Sequence, residues 1–89
     1  MAEGDAVNES LEFLGGEIRD AREAKGITIS SLAHAIKVSR HLVGNIEDGY
    51  YRPDAYMLIG IADCLGVDQA TLDRWVAIAE RRNGEDGER

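Results

Sequence analysis

Eighty-nine residues, 44% of them apolar, make one small domain whose modest core is stable only if its elements pack well. No apolar run approaches the ~20 residues of a bilayer span and no basic-then-apolar leader opens the chain, so a cytoplasmic protein without a membrane partner is expected. The net charge of −7 argues against a nucleic-acid partner for the chain as a whole, but it is uneven.

Residues 1–18 carry five acids and no Lys or Arg (−5). Residues 19–52 carry six basic residues against four acids (+2), and residues 53–89 carry four Arg against eight acids (−4). A phosphate backbone responds to the local field, so the middle segment is where an anion would bind, weakly and with strong salt dependence.

In chain order, residues 1–10 are polar and acidic and are expected to form a disordered arm; residues 83–89 read the same way. A first helix is expected over about 11–25, with Leu14, Ile18, Ala21 and Lys25 on one stripe and Leu11 one turn earlier. Gly15-Gly16 weakens its start, and Gly26 ends it as a C′ residue. Thr28 caps a second helix, about 29–36, with Leu32, Ala33 and Ile36 inward. Ser39 caps a third, about 40–47, with Leu42, Val43 and Ile46 inward. Only Lys37-Val38 separates the two, which forces a sharp helix–turn–helix.

Gly49 stops helix three, Tyr50-Tyr51-Arg52 form a loop, and Pro53 suits the first turn of a fourth helix, about 54–65. Cys64, the single cysteine, excludes an internal disulfide and a Cys-based zinc site, and its apolar surroundings read as those of a small buried hydrophobe. Gly66 ends helix four. Asp68 caps a fifth, about 69–82, carrying Leu72, Trp75, Val76 and Ala79 at helical spacing. Nothing alternates with period two. The expected fold is all-α, compact and five-helical, over residues 11–82.

On these residues the chain resembles the Xre/Cro-type helix-turn-helix domains, the lambda-repressor-like fold. Leu14-Gly15 with Ile18, Arg22 and Gly26 is similar to that family's first helix. Thr28, Leu32, Ala33, Val38, Ser39, Ile46, Glu47 and Gly49 are similar to its core motif. Pro53, Leu58, Ile61-Ala62 and Leu65-Gly66-Val67 are similar to its fourth helix and the following turn. The match covers about residues 14–75, and its specificity lies in the combined spacing of the Glu47–Gly49 pair, Leu65-Gly66-Val67 and Arg22.

The resemblance implies a transcription regulator, such as a repressor, that binds duplex DNA through helix three as a homodimer and needs no cofactor. It implies a structural salt bridge between Arg22 and Glu47. It places Arg40, His41 and Asn45 at base edges, and Thr28, Lys37, Ser39 and Arg52 at phosphates. The residue types suit those roles: Arg bonds guanine bidentately, Asn does so with adenine, and helix N-terminal amides with a Ser or Thr hydroxyl hold phosphate oxygens. His41 can donate to a base or phosphate. The plainer reading of Arg40 and His41, and the favoured one for His34, is a solvated helix face.

Three positions depart from the family pattern. Ile29 stands where Gln is common, which removes a polar DNA contact. Lys37 stands where Gly is common and must accept left-handed backbone angles. Gly44 loosens the recognition helix. A dimer surface is expected on helix five, with Leu72 and Val76 facing the core and Trp75 and Ile78 partly outward; the competing placement of Trp75 is inside its own domain's core.

A second reading keeps the fold and changes the partner. AREAKGITISSLAHAIKVS is also similar to the cytoplasmic domain of RodZ-type bacterial cell-shape proteins, which dock a protein filament. Ile29 and the acidic balance fit that reading; Arg40, His41 and Asn45 fit DNA better, and that family's membrane segment has no counterpart in these residues. Under either reading the acidic arm could meet a basic protein partner. An enzyme is not expected, because the sequence has no Gly-rich phosphate loop, no useful Cys–His pairing and no metal-ligand cluster.

Overall fold

The computed structural model describes residues 9–81 and places five helices there: α1 (Glu9–Ala24), α2 (Ile29–Ile36), α3 (Arg40–Glu47), α4 (Ala55–Leu65) and α5 (Gln69–Glu80). No strand occurs among the described residues. The expected arm at residues 1–8 and the tail from residue 82 lie outside them. Helix α1 begins at Glu9, so residues 9–10 are helical rather than part of an arm. Two acids, Glu9 and Glu12, fall in its first turn, where they favour the dipole.

The local start and stop signals explain most of the boundaries. Thr28, Ser39, Asp54 and Asp68 are all extended N-cap residues, each side-chain oxygen accepting an N–H three residues on. Asp54 corrects the expected start of helix four: the cap is Asp54, and Pro53 precedes it as a buried residue that fixes the entry of the chain. At the other ends, Gly26, Gly49 and Gly66 adopt positive φ.

Leu11, Leu14, Ile18 and Arg22 form the buried stripe of α1, which packs on α3 and α5; α2 packs on α3 and α4, and α4 on α5. The core they enclose includes Leu32, Val43, Ile46, Leu58, Ile61, Leu65 and Trp75. Two glycines let α1 approach α3 closely. A Cβ on Gly15 would overlap the carbonyls of Ile46 and Glu47, and one on Gly49 would come within 2.8 Å of Glu12 Cα.

Helix α5 corrects the expected orientation. Trp75 is only 1% exposed and Ala79 is buried, while Leu72 and Val76 are half-buried at the flanks. Because α5 packs on both α1 and α4, the centre of its apolar arc is the Trp75–Ala79 line. The indole N–H does not go unsatisfied there: Trp75 Nε1 donates to Glu17 Oε1 at 3.0 Å. Cys64 is a half-buried free thiol packed against the same core.

Candidate nucleic-acid interface

Helices α2 and α3 are held at a sharp angle by three residues, Lys37, Val38 and Ser39. Lys37 takes left-handed angles (φ 62°, ψ 44°) and donates its N–H to His34 O at 3.2 Å; Val38 N–H reaches back to Ala33 O at 3.0 Å. This double closure finishes α2 in one residue and leaves Ser39 extended, ready to cap α3. The left-handed Lys37 foreseen from the sequence is therefore present. It is the one non-glycine with positive φ among the described residues.

The turn brings the start of α2 beside the exposed face of α3. Thr28, Ile29, Ser30, Ser39, Arg40, His41, Gly44, Asn45 and Asp48 line one open concavity of about 670 Å³. Arg40 and His41 are exposed in the first turn of α3, and Asn45 is half-buried one turn further on. The structure thus gathers Arg40, His41, Asn45, Thr28 and Ser39 on one surface. Lys37 is exposed on the adjoining turn but does not line the concavity.

The two caps differ in what they have left to offer. Thr28 Oγ1 accepts Ser31 N–H at 3.0 Å and donates its own hydrogen to Ser31 Oγ at 3.1 Å, so its hydroxyl is satisfied locally. Ser39 Oγ accepts Leu42 N–H at 3.0 Å and keeps its hydroxyl hydrogen for another acceptor.

The far end of α3 is fixed by ion pairs. Arg22 holds Glu47 with two bonds, Nε to Oε2 at 2.7 Å and Nη2 to Oε1 at 3.1 Å, and donates Nη1 to Ile27 O at 2.8 Å. Both residues are buried, Arg22 at 8% exposure and Glu47 at 3%. The bonds to Glu47 raise the Arg22 pKa further against the opposing cost of burial. Arg19 joins the same group: Nε lies 3.3 Å from Glu47 Oε1 and Nη2 2.8 Å from Asp48 Oδ1. Burial works against its charge, but the bonds to Glu47 and Asp48 outweigh it and raise its pKa as well. No buried side-chain polar atom among the described residues lacks a partner.

Two expected site residues sit elsewhere. Arg52 is not beside the α2–α3 concavity. It lines a cleft formed with Pro53, Asp54, Val76 and Ala79, and its Nη1 donates to Ala79 O and to Arg81 O. Its guanidinium closes carbonyls at the C-terminal end of α5, so the structure places it apart from the other residues expected at phosphates. Trp75, expected outward as an interface anchor, is inside the core; Ile78 is half-buried beside it.

Three features went unread in the sequence: Arg19 over Glu47 and Asp48, Glu17 as the acceptor of Trp75 and Arg74, and Arg52 on α5. Only the first left a trace there, two arginines three apart on α1 facing two adjacent acids at the end of α3.

No helix of the described residues is long and apolar enough to cross a membrane, and no group of three or more His, Cys, Asp or Glu among them could hold a metal ion. No curated protein sequence matches the chain. Among solved structures, the crystal structure of the clp gene regulator ClgR from C. glutamicum is similar, with a TM-score of 0.68 and 28% identity over 81% of this chain and 92% of that one. The profile of a helix-turn-helix domain family matches residues 14–75, the span from Leu14 of α1 to Trp75 of α5. With five helices in the expected order and the α2–turn–α3 unit exposed, the chain belongs to this helix-turn-helix domain family of the Xre/Cro-like group.

Proposed function

We propose that the protein is a sequence-specific DNA-binding transcription regulator that reads the major groove with α3, as a homodimer. The observation that carries this reading is the surface of α3. Arg40, His41 and Asn45 share one open concavity with the Ser39 and Thr28 caps, so base-reading and phosphate-holding chemistry face the same way. An α-helix presented this way fits a groove about 12 Å wide. In such motifs the N-terminal residues of the second helix meet the bases, and here those are Arg40 and His41. The family membership and the likeness to a gene regulator point the same way.

In this reading Ser39 Oγ–H and the free amides at the start of α3 take a phosphate, while Lys37 adds charge beside it. Arg22 and Glu47 do not touch DNA; they keep the end of α3 at a fixed angle to α1. Ile29, half-buried in the concavity, offers a methyl surface to a thymine instead of a hydrogen bond. That same apolar residue favours the alternative, a protein-docking module on this fold.

A titration against random-sequence duplex DNA at two salt concentrations, followed by selection of the bound fraction, separates the two. A selected motif with affinity that falls as salt rises is the expected result. No binding at low salt would exclude the regulator and leave the protein-docking module, with the acidic residues 1–8, outside the described structure, as the first segment to probe against basic partners.

A further inference from the structure

We propose that Arg19, on α1 and outside the helix-turn-helix, belongs to the DNA interface: it neutralises Asp48 so that phosphate can approach the C-terminal end of α3. The inference rests on the DNA-binding reading above. His41, Asn45 and Asp48 stand at i, i+4 and i+7, so they form one stripe along the reading face. Asp48 lines the same concavity as Arg40 and has a side chain 54% exposed. A bare carboxylate at that place would face the DNA backbone and cancel one of the few positive charges nearby.

Among the described residues Arg19 is the one cation within ion-pair distance of Asp48, at 2.8 Å. Arg22 cannot substitute, because its Nε, Nη1 and Nη2 are all committed to Glu47 and Ile27 O. Arg19 is placed differently. Its side chain is 41% exposed, its Nε is braced on the buried Glu47, and its Nη1 makes no hydrogen bond among the described residues. The brace holds the guanidinium against Asp48, which itself lines the concavity. Glu47 therefore serves two arginines: one locks the fold, and the other pairs with Asp48. Arg19 acts through Asp48 and is a positioning residue.

The test compares wild type, Arg19→Gln, Asp48→Asn and the double variant on one duplex recovered by selection with the wild-type protein, at two salt concentrations, with melting curves beside each titration. Arg19→Gln is expected to bind roughly three- to tenfold more weakly, since it uncovers one charge at a partly screened site. Asp48→Asn binds at least as tightly as wild type. The double variant returns to within about twofold of Asp48→Asn, because no carboxylate is left to shield. A purely structural tie between α1 and α3 would instead lower the melting temperature, weaken binding equally at both salts, and not be reversed by Asp48→Asn. Arg19→Gln binding like wild type, or a double variant as weak as Arg19→Gln, overturns the proposal. A wild-type protein that binds no duplex overturns the DNA-binding reading and this inference with it.

Discussion

At the residue scale, the roles assigned to single side chains separate into those that hold the fold and those that read a partner. Glu47 is the clearest structural case, with two guanidiniums on a carboxylate that is almost fully buried. Glu47→Ala strands Arg22 in the core and should destabilise the domain by about 3 kcal/mol, lowering Tm by more than about 10 °C. An unchanged melting curve would remove the pair from the list of stabilising contacts. Arg40 is the opposite case: exposed, in the first turn of α3 and free of ion pairs among the described residues. Arg40→Ala should leave the melting curve alone and reduce discrimination at one base position by about 1–3 kcal/mol. A selected motif identical to that of wild type would take Arg40 out of the reading set. Glu17 carries a pH dependence. Burial pushes its pKa up, but the bonds from Trp75 and from Arg74, at 2.6 Å, outweigh this and hold the pKa below the ordinary value of 4.5. A group lowered on folding stabilises the fold above its unfolded value, and that contribution is lost as pH falls through the folded value. Glu17→Gln should therefore be less stable than wild type near pH 7, by about 1 kcal/mol. The gap should close as pH drops below 4.5. Fluorescence of Trp75, the sole tryptophan, reports the unfolding directly; a gap that does not narrow at all as pH falls below 4.5 would contradict the assignment.

At the scale of the elements, the spacing between α1 and α3 is set by what is missing from Gly15. Its Cβ position is occupied by the carbonyls of Ile46 and Glu47, whereas nothing lies within 4 Å of a Cβ on Gly16. The adjacent glycines should thus respond with opposite signs. Gly15→Ala forces α1 off the end of α3 and should destabilise by roughly 1–3 kcal/mol. Gly16→Ala adds helix propensity without a clash and should stabilise by about 0.5–1 kcal/mol. Thermal melts of the two variants check this, and equal shifts would show that the close approach does not constrain the helices. This pair also marks where the sequence stops being informative. The caps Thr28, Ser39 and Asp68, the left-handed Lys37 and the terminating glycines are legible, because each is decided within four residues by backbone hydrogen bonding. Gly15 reads only as a weak helix start until α3 is docked on it. Asp54 was hidden by the proline before it, which serves a helix equally well in the first turn or ahead of the cap.

At the scale of the whole molecule, the residues the sequence misplaced are those whose partner is a distant helix. Trp75 fits its apolar arc facing either way; only the joint packing of α5 on α1 and α4, with Glu17 waiting for the indole N–H, turns it inward. Arg52 is one more basic residue near the motif until α5 ends beside it. Arg40, His41 and Asn45 came together as read, because one short helix presents all three. With Trp75 inside, Trp75→Ala tests stability and not association, and the proposed dimer has to be tested through the DNA. The described residues measure 39 × 26 × 20 Å, so two copies arranged along their long axis place their centres up to about 39 Å apart, enough to span one turn of duplex, about 34–36 Å. One domain touches only a few base pairs, and its net basic charge over residues 19–52 is just +2, so each copy alone should bind weakly. A duplex with two selected half-sites about 10 base pairs apart should then bind far more tightly than one half-site, and as two copies. Inserting five base pairs rotates one half-site to the opposite face of the helix and should return affinity to the single-site value. Binding that ignores the insertion would mean that the domain acts as a monomer on DNA, whatever its state in solution.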